Sequence, residues 1–236
     1  MTSPVASPPD VGVVIVAAGA GVRAGPGEPK QFRPIVGVPM LLRALRPFTS
    51  HPDVRQVVVA LPAAYVEHPP EWLGRLLGER LSLVAGGAQR PLSVRAGLEA
   101  LDADAGVVLV HDGARPFVSR ETIDQVIAYA RQGIAAVAAA PMSDTVKQVA
   151  DGGLRVARTV PREGLWRAQT PQGFPRAMLR DAYARLDPAD PVPTDDAEAC
   201  ERCGFAVEIV PDSPHNLKVT TADDFRIAEA LAREPR

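Results

Sequence analysis

The segment AAGAGVRAGPGEPKQF, from Ala17 to Phe32, ends an apolar run in small residues and then offers two cations, Arg23 and Lys30. Small side chains leave the backbone N–H groups of Ala18, Gly19, Ala20 and Gly21 open, and consecutive exposed amides form a concavity that binds anions. Arginine grips phosphate oxygens with a planar fork, and lysine adds a compact charge. The chemistry these residues suit is the holding of a triphosphate. Two commoner glycine-rich loops do not fit. A P-loop requires G-x-x-x-x-G-K-[ST], and a dinucleotide-binding turn requires a helix at its third glycine and an acidic residue closing the second strand. Pro26 and Pro29 interrupt any helix here, and the second apolar run ends in Ala60, Leu61 and Pro62. NAD is therefore disfavoured. A solvated surface loop is the remaining alternative, weakened by position, because α/β sheets bind ligands at the carboxyl ends of their strands.

Other residues carry compatible chemistry. Asp112, in VLVHDGARPFV, closes an apolar run where a carboxylate could ligate Mg²⁺ while Arg115 holds a second anion. His111 turns to the opposite face by strand alternation and reads as structural. GGAQRPLSVRAG places Gly86 and Gly87 ahead of Arg90 and Ser93, at the start of a helix whose free N–H groups favour anions. Lys218, in SPHNLKVTTADDF, is expected in a short strand before a helix capped by Thr220 or Thr221. Arg162, in TVPREGLWRAQTPQ, is expected at the base of a hairpin. For Lys218 and Arg162 a solvated surface cation is the alternative. Cys200 and Cys203 form a C-x-x-C with no second pair and no clustered histidines, on a helix ended by Gly204, so packing is favoured over redox or zinc chemistry.

The elements that must position these residues follow from hydrophobic patterning. VGVVIVAA, VRQVVVALP, LSLVAG, GVVLVHD and GIAAVAAAP are continuous apolar runs, the pattern of strands covered on both faces. Amphipathic stretches alternate with them, among them PMLLRALRPFTSH, QRPLSVRAGLEALDA and SRETIDQVIAYARQ, the last with Ser119 and Thr122 as candidate caps. The alternation predicts a doubly wound, mostly parallel α/β sheet. Between about Pro141 and Ala168 the pattern changes: DTVKQVADGGLRVARTV reads as two strands around Asp151-Gly152-Gly153, a β-arm that covers its own site or clasps another subunit. A helix near Pro175 to Leu186, a helix carrying the cysteines, a strand FAVEIVP and a last helix from Ala222 complete the chain.

With 236 residues, 46% hydrophobic and 23% charged, the chain has material for one sizeable core. Its formal net charge of −2 supplies no basic field of the kind that draws a protein to nucleic acid. No apolar run approaches the roughly 18 residues of a membrane span. MTSPVASPPD lacks the basic start and apolar middle of a signal peptide and reads as a disordered tail over residues 1–10, followed by a single domain over 11–236; the expected location is cytoplasmic.

Taken together, AAGAGVR, PKQF, GG with R and SV beyond it, HDGARP, DTVK, TVPREGLW with QTPQ, TDD and NLKVT resemble the motif set of the 2-C-methyl-D-erythritol 4-phosphate cytidylyltransferases of the non-mevalonate isoprenoid pathway, in order over roughly residues 11 to 233. The resemblance implies a Rossmann-like nucleotidyltransferase fold with a protruding β-arm. It implies that Ala17, Ala18, Gly19 and Ala20 contact CTP through main chain, with Gly87 and Ser93 at base and ribose. Arg23 and Lys30 match residues that stabilise the transition state. Asp112 matches the position near Mg²⁺ and substrate, Arg115 the substrate-phosphate region, and Thr145, Thr170 and Thr194 further substrate contacts. Arg162 and Lys218 match the pair that positions methylerythritol phosphate, Arg162 arriving on the arm of the neighbouring subunit in a homodimer. Ala88 and Ala24 depart from the family's pattern, without removing a charge that the chemistry needs.

The reaction so implied joins the phosphate of methylerythritol phosphate to the α-phosphorus of CTP and releases pyrophosphate, with Mg²⁺ and cations offsetting the charge of the phosphates. A sibling ribitol-5-phosphate cytidylyltransferase, a non-catalytic nucleotide-binding regulator and, remotely, a dehydrogenase are the alternatives.

Overall fold

The computed structural model describes residues 9–19, 29–150, 152–187 and 189–234. Its strands are β1 (Val11–Val16), β2 (Pro34–Ile35), β3 (Val38–Pro39), β4 (Val54–Leu61), β5 (Leu81–Ala85), β6 (Val107–Asp112), β7 (Ala135–Pro141), β8 (Val146–Val149), β9 (Val156–Val160), β10 (Trp166–Pro175) and β11 (Val207–Pro211). Its helices are α1 (Met40–Thr49), α2 (Ala63–Glu67), α3 (Glu71–Gly74), α4 (Arg90–Ala100), α5 (Arg120–Arg131), α6 (Arg176–Ala184), α7 (Asp196–Arg202) and α8 (Ala222–Arg233).

Among the described residues seven strands form the main sheet, in the order β11-β7-β10-β6-β1-β4-β5. β1 pairs in parallel with β4 on one side and β6 on the other, β4 with β5 and β7 with β11, whereas β10 runs antiparallel between β6 and β7. Valine-rich runs suit these strands because both faces are covered. Val13 and Ile15 pack with Leu41, Leu45 and Phe48 of α1 and with Ile123, Val126 and Ile127 of α5. Val14 points the other way, to Val94 and Leu98 of α4, Leu179 and Ala182 of α6 and Cys200 of α7. Each large aliphatic side chain buried in this way contributes about 1.5–3 kcal/mol. A doubly wound, mostly parallel sheet is what alternating strand and helix predicts.

β10 is the element that patterning missed. Its sequence, WRAQTPQGFP, mixes amides, a hydroxyl, proline and glycine where a central strand is normally apolar. It survives in the sheet because its polar groups are paired: the Gln172 Oε1 accepts from the Asp196 and Ala197 N–H groups at 3.0 and 2.9 Å. The ladder slips between Ala168 and Gln172, the stretch that holds Pro171, which has no N–H to donate. The short strand expected around Lys218 does not form; residues 217–220 are irregular, fastened by the Val219 N–H to the Ala114 carbonyl at 2.8 Å.

β8 and β9 make a separate antiparallel pair, as the alternation between Thr145 and Val160 predicts. Asp151 of the expected turn lies outside the described residues, and Gly152 adopts φ +70°, a backbone that favours glycine. The projecting part is shorter than expected. Trp166, Arg167 and Ala168 pair with Pro141, Ala140 and Ala139 as an extension of the main sheet, so the arm proper occupies 142–165.

Local signals placed the helix starts. Ser119 Oγ accepts from the Thr122 N–H at 3.0 Å, and Thr221 with Asp224 forms a capping box on α8. Cys200 is buried and Cys203 half-buried against α6, both as free thiols, on the helix that Gly204 follows at φ +79°. No helix among the described residues is long and apolar enough to cross a membrane.

β1 is where the winding reverses, with β4 and β5 laid out on one side and β6 on the other, which opens a crevice at the carboxyl ends of the strands. α4 lies close over β1 at Gly97, where an added Cβ would stand 2.4 Å from Val14 Cγ1. Gly97→Ala is therefore expected to destabilise the fold by about 1–3 kcal/mol through overpacking. Urea unfolding checks this, and trimming Val14 to alanine in the same chain should recover part of the loss.

Candidate active site

A cavity of about 580 Å³ opens at the carboxyl ends of β1, β5 and β6. Val16, Ala17, Ala18 and Gly19 leaving β1 line it, with Gly113 and Ala114 leaving β6 and Gly87 to Arg90 and Ser93 leading into α4. The close approach of these loops needs small residues. A Cβ on Gly86 would lie 2.3 Å from Ala18 Cβ and 2.8 Å from Ser93 Oγ, and one on Gly113 would lie 2.9 Å from Ala17 Cβ. The backbone is fixed by the Gly113 N–H on Val16 O and the Ala17 N–H on Ala60 O, both at 2.9 Å. Ser93 Oγ accepts from the Gly87 N–H at 3.2 Å.

Asp112, only 6% exposed, stands at the end of β6 among three cations. Lys218 Nζ lies 2.9 Å from its Oδ2, Arg90 Nε 3.4 Å from its Oδ1 and Arg115 Nε 3.6 Å from its Oδ2. Burial alone would push its carboxyl group up; Arg90, Lys218 and Arg115 together outweigh that and hold it well below the usual carboxylate range. Arg90 spans two carboxylates, its Nη2 lying 2.7 Å from Oδ2 of the fully buried Asp196. Burial works against its charge, but Asp196 and Asp112 more than offset it, so its pKa rises. Tyr183 donates to Asp196 Oδ1 at 2.5 Å, and burial beside that carboxylate pushes the phenol upward. Gln172 Nε2 donates to Asp195 Oδ2 at 2.9 Å, and Asp195 Oδ1 caps α7 through the Glu198 N–H. The Arg90 guanidinium is thus anchored to the start of one helix from the start of another.

Lys30, in the turn after Pro29, donates from Nζ to the Val219 carbonyl at 3.1 Å and lines the cavity beside Lys218 and Thr220. His111 is buried and faces away, as strand alternation predicts, its ring 4.9 Å from that of Phe48. Burial pushes its pKa down to about 4, so the ring is neutral. The Asp112 N–H donates to Thr170 Oγ1 at 3.0 Å, Thr170 donates to His111 Nδ1 at 3.0 Å, and His111 Nε2 donates to the Arg115 carbonyl at 3.0 Å. This chain fixes the backbone on both sides of the Asp112-Gly113 turn.

Of the site residues expected from sequence, Ala17, Ala18, Gly19, Lys30, Gly87, Ser93, Asp112 and Lys218 meet in the cavity. Ala20 and Arg23 lie outside the described residues. The others are placed differently. Arg115 is buried and spends its guanidinium on the carbonyls of Asn216, at 2.7 Å, and Ala168, at 3.4 Å, so it supports Asp112 from behind the cavity wall. Thr170, expected at the substrate, is buried with its hydroxyl committed to the Asp112 N–H and His111. Thr194 is exposed and gives both its N–H and its hydroxyl to Glu198, at 2.6 and 2.7 Å, which holds that carboxyl down to about 2. Thr145 is exposed at the foot of the arm. Arg162 is exposed at the other foot, where it donates to the Ser143 carbonyl and does not line the cavity of its own chain.

Sequence reasoning missed Asp196, Tyr183, Gln172 and Gln31. For Asp196 the signal was present in the quoted TDD, since a second acid beside a capping aspartate is surplus to capping. Among the described residues no group of three or more His, Cys, Asp or Glu side chains could cage a metal ion. Asp112, the one carboxylate among the described residues that line the cavity, suits the alternative arrangement, in which a divalent ion takes one protein oxygen and the rest from phosphates and water.

The sequence model of the 2-C-methyl-D-erythritol 4-phosphate cytidylyltransferase family, IspD, matches residues 11–234. A protein of that name from Frankia casuarinae is 46% identical over 97% of this chain and 83% of its own length. Another, from Bacillus velezensis, is 40% identical over 94% of this chain and 95% of its own. The crystal structure of the Thermus thermophilus protein of the same name superposes with a TM-score of 0.79 at 37% identity, covering 95% of this chain and all of that one.

The anchoring of Arg90 makes a quantitative expectation. Asp196→Asn should cost at least about 2 kcal/mol of stability, because it leaves a half-buried guanidinium short of its counter-ion. Tyr183→Phe should cost about 1–3 kcal/mol for the lost bond to a charged group. In chemical unfolding the double variant should lose less than the sum, by roughly 1 kcal/mol, as expected for two members of one network; strict additivity would dissolve the network.

Proposed function

The chain belongs to the 2-C-methyl-D-erythritol 4-phosphate cytidylyltransferase family, and from that membership we propose how its residues carry the reaction. It is a nucleotidyltransferase that moves a cytidylyl group from CTP to 2-C-methyl-D-erythritol 4-phosphate, giving 4-diphosphocytidyl-2-C-methyl-D-erythritol and pyrophosphate for isoprenoid precursor synthesis. The ribitol-5-phosphate alternative is not favoured, since the family and the relatives carry the methylerythritol name.

The reading of the site rests on one observation: Lys30, Arg90 and Lys218 converge on a cavity floored by Ala17, Ala18, Gly19 and Gly113 at the end of β1 and β6. The phosphate of one substrate must attack the phosphorus of another, anion against anion. Main-chain N–H groups after β1 receive the triphosphate, and Gly87 and Ser93 receive the base and ribose side. Lys30, joined by Arg23, offsets the charge that builds on the five-coordinate phosphorus and on the departing pyrophosphate. Lys218 in this chain and Arg162 from the arm of a partner subunit hold the attacking phosphate in line, which makes the encounter effectively intramolecular. No general base is needed, because the attacking oxygen is already ionised. Asp112 would hold Mg²⁺ jointly with the phosphates, and the ion would supply further charge neutralisation there.

The homodimer is supported by the arm itself, which exposes Leu154 at 98% and leaves Val149, Val156 and Leu165 open to solvent, with Trp166 open at its base. Free thiols at Cys200 and Cys203 suit a reducing compartment, in keeping with a cytoplasmic location.

A coupled pyrophosphate assay across CTP, UTP and ATP with each polyol phosphate tests the reaction, and release only with CTP and methylerythritol phosphate is expected. In that assay Lys30→Ala should lower kcat at least about a hundredfold. Arg162→Ala should raise KM for the sugar phosphate more than KM for CTP. At a sugar-phosphate concentration far below the KM of Arg162→Ala, where each variant alone is nearly inactive, mixing Lys30→Ala and Arg162→Ala subunits should restore roughly a quarter of the parent activity after exchange, because a two-fold hybrid has one site with neither lesion. An inactive mixture of exchanged subunits would place Arg162 in its own subunit's site.

A further inference from the structure

Gln31 lines the same cavity, in the turn between Lys30 and Phe32. It is 3% exposed, and among the described residues neither its amide nitrogen nor its amide oxygen has a hydrogen-bond partner. Its backbone, in contrast, is held firmly. Gln31 O accepts from the Leu41 N–H at 2.8 Å, and the flanking turn is closed by the Phe32 N–H on Pro29 O at 2.9 Å and the Arg33 N–H on Lys30 O at 3.2 Å. The next side chain, Phe32, is clamped edge-on against Tyr65 and Trp72, at centroid distances of 4.9 and 6.4 Å. A firmly held turn therefore places Gln31 at the cavity wall as a buried side chain whose amide donors and acceptor are unspent among the described residues. Buried amides are costly when unpaired and are almost always satisfied in folded proteins.

The chemistry of the group narrows what would satisfy it. A phosphate offers acceptors and would use only Nε2; a cation would use only Oε1. Neighbouring hydroxyl groups use both, one donating to Oε1 and another accepting from Nε2. The wall on which Gln31 stands also bears Lys218 and Thr220, since Lys30 Nζ is joined to the Val219 carbonyl and the Val219 N–H to Ala114. Gly87 and Ser93, to which the nucleotide's base and ribose are assigned, enter from β5 and α4 instead. We propose that Gln31 reads adjacent hydroxyl groups of the polyol phosphate, positioning its carbon chain and selecting it over less hydroxylated sugar phosphates. The proposal rests on the reaction assigned above.

The test uses the full-length enzyme and its Gln31→Met variant, which keeps the volume and removes both polar atoms. With methylerythritol phosphate varied at saturating CTP, KM should rise at least about tenfold, equivalent to about 1.4 kcal/mol, while KM for CTP stays within about twofold. A deoxy analogue of the polyol phosphate should be a poorer substrate for the parent and should lose that handicap in the variant. Thermal unfolding without ligand should show the variant at least as stable as the parent, because an unpaired buried amide has been removed. The proposal is overturned if KM rises equally for both substrates, if neither KM changes, if the parent and variant discriminate alike against the deoxy analogue, or if the unliganded variant melts earlier with its kinetics intact. Failure of the parent to release pyrophosphate from CTP and methylerythritol phosphate would instead overturn the underlying reaction, and this proposal with it.

Discussion

The cavity is organised by a carboxylate that cannot be left alone. Asp112 lies at the carboxyl end of the central strand β6, almost entirely out of water, and an unpaired buried charge there would cost several kcal/mol. Arg90, Arg115 and Lys218 remove that cost, and each arrives from a different part of the chain: the first turn of α4, the loop after β6 and the irregular segment before α8. One small acid thus gathers positive charge from distant segments at the point where the sheet reverses its winding. Cations held in place before a ligand arrives need not be reorganised when it does, which is the condition under which fixed charge acts most strongly on a transition state.

The same logic extends outward. Arg90 serves Asp112 on one side and Asp196 on the other, and Asp196 in turn is held by Tyr183 and by the Gln172 amide at its own N–H group. On the opposite face, neutral His111 links Thr170 to the Arg115 carbonyl and so clamps the turn that carries Asp112. β10 is the element common to both supports. An antiparallel strand of poor strand composition is kept in the middle of the sheet, where Thr170 reaches His111 and Gln172 reaches the start of α7. Its polar residues look misplaced only when the strand is considered without its neighbours.

Most of the apolar packing lies away from the residues that line the cavity. The apolar layers on either side of the sheet draw on valines and leucines of β1, β4, β6, α1, α4 and α5, and a smaller cluster of Ile35, Met40, Ala114, Phe117 and Val219 continues past the carboxyl ends of the strands. The cavity itself is lined by glycine, alanine and charge, among them Ala17, Ala18, Gly19, Gly113, Lys30, Arg90 and Lys218. Gln31 sits on the boundary, with its backbone in the packed turn and its buried side chain at the cavity wall.

Sequence alone determined the features that are set by neighbours in the chain. Continuous apolar runs marked strands covered on both faces, Ser119 and the Thr220-Thr221 pair marked helix starts, and the small residues after Val16 with the acid after His111 marked the strand ends where the cavity opens. Those are local signals, because rotamer freedom, capping and side-chain size act over a few residues. Tertiary structure decided the rest. Arg90 reads as a cation at a helix start, yet it meets Asp196, 106 positions away, and Lys30 meets the Val219 carbonyl 189 positions away. Arg115 and Thr170 carry the residue types of a binding site but are turned inward to support Asp112. A polar side chain shows what it can bind; which partner it receives depends on the crossing of strands and helices that brings remote segments within hydrogen-bond reach, and no local pattern records that.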